Sequence, residues 1–133
     1  MDARELKIDN YVWEDYGGYM IVRGISTTEL TLVKQINLPS GKYSIEKVEP
    51  IPLTEETLSK CGFINNPLHE HPSFDEFIHC KFKWFEIGDF NGEYFLIEAL
   101  DQMAGTESPQ IKHLHQLQNL FFAITGEELQ VNL

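Results

Sequence analysis

The run Leu6-Lys7-Ile8-Asp9-Asn10-Tyr11-Val12-Trp13, the break Asp15-Tyr16-Gly17-Gly18 and the run Tyr19-Met20-Ile21-Val22-Arg23-Gly24-Ile25 decide how this chain folds. Both runs are rich in β-branched and aromatic residues, and a Gly-Gly break tolerates the positive φ of a tight turn, so the three together read as a β-hairpin. Two further short runs follow: Glu29-Leu30-Thr31-Leu32-Val33 and, after Pro39-Ser40-Gly41, Lys42-Tyr43-Ser44-Ile45-Glu46-Lys47-Val48. Short strands at this spacing predict a small, strongly bent barrel, because a flat sheet of so few strands leaves open edges.

Within the first run, Ile8-Asp9-Asn10-Tyr11-Val12 resembles the opening strand of small barrels of the Src-homology-3 and KOW type. Pro50-Ile51-Pro52 should end this unit, since each proline removes a backbone donor and biases its predecessor towards extended geometry. The chain therefore divides into 1–53, a small β-barrel-like unit, and 54–133, an α+β unit, forming one core or two. Thr54 reads as the N-cap of a short helix, with Glu55 and Glu56 in its first turn, Leu53 and Leu58 as a staple across the cap, and Gly62 as its stop. Residues 65–76 are polar, hold Pro67 and Pro72, and read as a loop. Residues 77–87 and 93–98 read as two aromatic-rich strands of a second hairpin, turning at 88–92. A regular first strand puts Ile78, Cys80, Phe82 and Trp84 on one face and His79, Lys81 and Lys83 on the other. A last helix is expected from Ser108 as N-cap and Pro109 as first residue to Gly126, its apolar stripe made by Ile111, Leu114, Leu117, Phe121 and Ile124, widened by Leu120. His113, Gln116 and Asn119 fall away from that stripe. The fold class is α+β: an N-terminal barrel-like unit, a short helix, and a second hairpin or sheet packed against a C-terminal amphipathic helix.

The 133 residues carry 10 basic and 21 acidic side chains, a net charge of −11. Residues 54–133 contribute −9 of it, so an acidic face belongs to the second part. Such a chain repels phosphate backbones, and no nucleic-acid binding is expected. The apolar stretches fall far short of the ~20 residues that cross a bilayer, so no membrane association is expected. Met1-Asp2-Ala3-Arg4-Glu5 lacks the charged-then-apolar pattern of a secretory leader, and Cys61 and Cys80 form no CxxC. A reducing cytoplasm is the expected compartment, with both cysteines as buried thiols.

Three groupings carry candidate chemistry. His69 and His71 with Glu76 resemble the first half of a cupin metal motif, and three such ligands leave a coordination position for water. The motif's glycines and its second half are missing, and the pair lies in a Pro-interrupted loop. His113 and His115, two apart on a helix, stand about 200° apart around its axis and do not converge. Neither cysteine sits in a nucleophile signature, and the glycines form no phosphate-binding loop, so no cofactor is expected. The aromatics are the third resource. Tyr11, Trp13, Tyr16 and Tyr19 gather on the first hairpin, and a Tyr/Trp patch on a small barrel is suited to receive a peptide.

Three stretches are considered together: residues 6–12; Val48-Glu49-Pro50-Ile51-Pro52-Leu53-Thr54-Glu55-Glu56 with Lys60-Cys61-Gly62-Phe63; and the segment 113–129, which opens His113-Leu114-His115-Gln116-Leu117 and closes Thr125-Gly126-Glu127-Glu128-Leu129. The set resembles a family of small uncharacterised proteins of Bacteroides and related gut bacteria, found in prophages and other mobile elements. The resemblance implies a cytoplasmic protein and brings no catalytic residues with it. The function expected is a non-enzymatic protein-interaction module, binding an unknown protein partner through the first hairpin's aromatics or the acidic second part. The alternatives are an acidic mimic that inhibits a DNA-binding protein and a metal-dependent enzyme using His69, His71 and Glu76. A homodimer through the second hairpin stays open.

Overall fold

The computed structural model of the protein describes residues 2–34, 39–66, 74–99 and 110–133. The fold is α+β, with two antiparallel five-stranded sheets and a C-terminal helix among the described residues. The chain separates into two compact units, one made of residues 1–52 and 113–120, the other of 53–112 and 121–133.

In the first unit, β1 (Tyr11–Glu14), β2 (Gly18–Ile25), β3 (Glu29–Val33), β4 (Gly41–Ser44) and β5 (Val48–Glu49) form one sheet in the order β4-β3-β2-β1-β5. The run 42–48, expected as one strand, is broken. The Ile45 N–H donates to the Thr28 carbonyl at 3.0 Å, and Ile45–Lys47 make a single 3-10 turn. That turn takes the chain off the edge of β3, and Val48 and Glu49 then pair with Glu14 and Trp13 of β1. The sheet is thereby curled into a half-barrel over a core of Leu6, Val12, Met20, Val22, Leu30, Leu32 and Val48.

The second unit opens with α1 (Glu55–Lys60). Thr54 caps it as its spacing requires, accepting from the Thr57 N–H at 3.1 Å, and Gly62 stops it at φ +84°. β6 (Phe63–Asn65), β7 (Asp75–His79), β8 (Phe85–Phe90), β9 (Glu93–Ala99) and β10 (Gln110–Ile111) follow in the sheet order β10-β9-β8-β7-β6. Asn91 and Gly92 both take positive φ, 56° and 89°, and make the tight β8–β9 turn, which Asp89 closes by accepting from the Gly92 N–H at 2.7 Å.

The run 77–87 is two strands rather than one. The expected alternation holds for Ile78 and His79 and stops there, so Cys80, Lys81, Phe82, Lys83 and Trp84 share no strand faces, and Cys80 is exposed. The cause is the His79 ring, whose Nδ1 accepts from the N–H groups of Lys81 and Phe82 at 3.2 and 3.1 Å. This side chain does for a turn what a carbonyl does in a regular ladder, and the Phe85 N–H then reaches the Phe82 carbonyl at 2.9 Å. The same ring packs against Phe63 and Phe121, with centroids 5.1 and 4.8 Å away.

The C-terminal helix α2 (Leu114–Thr125) begins later than Pro109 suggests. Ser108 and Pro109 lie outside the described residues, and Gln110 and Ile111 are a strand paired with Phe95 and Tyr94. His113 takes the cap position, its N–H received by Gln116 Oε1 at 3.1 Å, the reciprocal half of a capping box. Leu114, Leu117 and Phe121 of the expected stripe are buried, and Gly126 ends the helix at φ +78°. Among the described residues no helix is long and apolar enough to cross a membrane.

His79→Ala removes the acceptor of two backbone N–H groups together with a buried ring, and is expected to cost roughly 2–4 kcal/mol in urea unfolding. A loss below about 1 kcal/mol contradicts the capping role.

Candidate functional site

The first hairpin presents its aromatics by alternation. Val12 and Glu14 of β1 and Met20 and Val22 of β2 point inwards and are buried, so Tyr11, Trp13 and Tyr19 take the outer face. Register places Trp13 directly opposite Tyr19, and their rings meet edge to face, with centroids 5.0 Å apart and planes at 80°. Such a pair adds specific attraction to the area it covers. Tyr16 stands at the tip and is 95% exposed, while Tyr19 is 40% exposed. Tyr11 is half-buried at the other end of the strand.

The tip is built by a buried carboxylate. Glu14 is 4% exposed, and its Oε2 accepts from the Tyr16 and Gly17 N–H groups. A Cβ at Gly17 would stand 2.9 Å from Met20 Sδ and 3.0 Å from Glu14 Oε2, so a larger residue here would push on the Met20 side chain and on the capping carboxylate. The hairpin end that carries Tyr16 is therefore held from within. On the same outer face, β5 sets the exposed Glu49 beside Trp13.

The root of the hairpin is fixed from α2. Gln118, 3% exposed, accepts from the Tyr11 N–H at 2.9 Å and donates to the Asp9 carbonyl at 3.1 Å. Next to it, Asn119 accepts from Asn10 Nδ2 at 2.9 Å and donates to the Glu5 carbonyl at 3.1 Å. Asn119 thus works precisely because it lies off the apolar stripe. Gln118 is not legible in the sequence, since a glutamine beside an apolar stripe gives no signal of a partner more than a hundred residues away.

The metal candidates divide. His69 and His71 lie outside the described residues. Glu76 is 8% exposed, and its Oε1 accepts from Asn66 Nδ2 at 2.9 Å while its carbonyl accepts from the Asn66 N–H at 2.8 Å. No group of three or more metal-ligating side chains occurs among the described residues.

His113 and His115 do come together, because His113 is the cap residue and not inside the helix: their rings stack 5.6 Å apart at 8°. Parallel rings keep their nitrogen lone pairs in separate planes, so the pair does not chelate. His115 is fully buried, with neither ring nitrogen hydrogen-bonded, and its Nε2 stands 3.8 Å from Glu5 Oε2. Burial, and after it the neighbouring His113, hold its pKa below the usual value of 6.5, with Glu5 pulling the other way. His79 is lowered too, by burial and by Lys81, against Glu127. The cysteines also separate: burial pushes the Cys61 thiol up to about 12, whereas Cys80, expected to be buried, is exposed within the turn that His79 caps.

Gln118→Leu leaves the Tyr11 N–H and the Asp9 carbonyl without their partner and should cost roughly 2–4 kcal/mol, read by denaturant unfolding; a variant as stable as the parent rules the clamp out. Both histidines have folded pKa values below their unfolded ones, so the stability they contribute is present above about pH 6.5 and lost as pH falls through the lowered folded values. The urea midpoint should drop between about pH 7.5 and pH 5, and drop less in His115→Leu; a midpoint that rises on acidification contradicts the assignment.

Compared with known proteins, the chain matches no protein family, no curated protein and no solved structure.

Proposed function

We propose that this protein is a non-enzymatic interaction module that receives an extended peptide on the outer face of its first hairpin. The observation that carries the reading is the Trp13–Tyr19 edge-to-face pair, continued by the exposed Tyr16 on a tip that Glu14 fixes from inside. Aromatic side chains with few rotors bind with little loss of conformational freedom, and a tip already held in place adds little further ordering cost. Polyproline-type segments are suited to such a surface, because they are extended before binding and offer ring faces and carbonyls. Glu49 beside Trp13 and Asp15 at the tip favour a peptide with Lys or Arg near its apolar residues. Two unpaired cysteines, one of them exposed, support a reducing cytoplasm as the place of work.

The test is a fluorescence titration in a Trp84→Phe background, so that Trp13 alone reports, against a panel of short Pro-rich peptides with and without Arg. Arg-containing members are expected to shift Trp13 emission at saturable concentrations. Tyr16→Ala and Tyr19→Ala should each weaken binding about tenfold, in keeping with aromatic anchors at the centre of an interface. A panel that leaves Trp13 unperturbed overturns the reading. Binding that survives both substitutions and collapses with added salt favours the acidic-mimic alternative instead.

A further inference from the structure

The outer face of the second sheet carries an apolar groove that the hairpin reading does not use. In β8 and β9 the inward side chains Phe85, Ile87, Tyr94 and Leu96 are buried, so the alternate positions Gly88, Phe90, Phe95 and Ile97 face the other way. Phe90, Phe95 and Ile97, with Glu93 at the rim, line an open groove of about 460 Å³. Phe90 stacks on Phe74 at 4.5 Å and meets Phe95 edge to face at 5.6 Å, so the wall is an ordered aromatic row. A Cβ at Gly88 would lie 2.5 Å from Ile97 Cδ1 and 2.8 Å from Phe90 Cε2, so glycine here is what lets those two side chains fold over the strand.

Charge says what fits. On the face that carries Phe90, Phe95 and Glu93, register also places Glu76 and Glu86, and β7, β8 and β9 carry no Lys or Arg. A second copy of this chain would bring the same acidic strands to the contact and be repelled. We propose that the groove docks a basic amphipathic helix of a partner protein, its apolar stripe seated between Phe90, Phe95 and Ile97 and its flanking Lys or Arg side chains set against Glu93 and the acidic strands. A helix is the natural cover for an apolar sheet face, since both elements bury one side to form a layer. Helix-in-groove recognition lays the apolar face of such a helix into a hydrophobic groove. The proposal stands independently of the aromatic hairpin.

The probe is a fluorescent, roughly 18-residue helical peptide of Leu and Lys with one apolar stripe, compared with its Leu and Glu counterpart. Anisotropy should show saturable binding of the Lys peptide alone, and amide chemical-shift changes should centre on residues 86–97. Phe90→Ser and Glu93→Lys should each weaken it about tenfold, while Trp13→Ala leaves it unchanged. Glu93→Lys leaves the core untouched and decides the matter if Phe90→Ser does not fold. Equal binding of the Glu peptide, a shift footprint elsewhere, indifference to Glu93→Lys, no binding at all, or a dimer that Phe90→Ser dissolves would each overturn the proposal.

Discussion

The first unit depends on one buried side-chain amide. Gln118 offers its oxygen to the Tyr11 N–H and its nitrogen to the Asp9 carbonyl, as a neighbouring strand would. The need for it follows from the hairpin. Asp9 sits at φ +75°, its N–H is bound to the Val22 carbonyl at 2.8 Å, and the Val22 N–H returns to the Asn10 carbonyl at 2.9 Å. This reversal leaves the Asp9 carbonyl and the Tyr11 N–H without a ladder partner, and burying them unpaired would cost more than the hydrogen bonds gain. Everything that β1 presents outwards, Trp13 included, inherits its position from that repair.

The same device recurs elsewhere in the chain. Glu14 caps the tip of the first hairpin, His79 caps the turn between β7 and β8, Asp89 closes the turn between β8 and β9, and Gln116 receives the N–H of the α2 cap. In each case a polar side chain near a chain reversal supplies the acceptor that the backbone lacks. For His79 the device has a consequence with a sign, since burial and Lys81 hold its pKa below the usual value. A ring whose Nδ1 already accepts two N–H groups has no room for a proton there, so acid works against the turn. The stacked, hydrogen-bond-free His115 responds in the same direction because its ring is fully buried and lies against His113.

The two candidate surfaces rest on ordinary strand alternation. Once one side of a strand is committed to a core, the opposite side is displayed whether or not its residues are polar. In β1 and β2 that side holds Trp13 and Tyr19, and in β8 and β9 it holds Phe90, Phe95 and Ile97. The glycines differ in their part. Gly17 permits a close approach to the buried carboxylate, while Gly88 permits two side chains to cover a strand.

What the sequence determined by itself was local. The first hairpin, its Gly-Gly turn, the Thr54 cap, the Gly62 and Gly126 stops and the apolar stripe of α2 were legible because propensity, turn chemistry and periodicity act over a few residues. The broken runs at 42–48 and 77–87 were not legible. Alternating β-rich residues fit a continuous strand equally well, and what interrupts them is a distant partner: the Thr28 carbonyl for one, a side chain folded back on its own turn for the other. The late start of α2 has the same origin, since pairing of Gln110 and Ile111 with Phe95 and Tyr94 outweighs the local preference of the preceding proline for a helix start. Of the candidate residues, the sequence named Tyr11, Trp13, Tyr16 and Tyr19. Only the tertiary structure set Trp13 against Tyr19, assigned Glu76 to Asn66, stacked His113 on His115 and disclosed Gln118, because cross-strand register and the satisfaction of buried polar groups are properties of chain segments far apart in sequence.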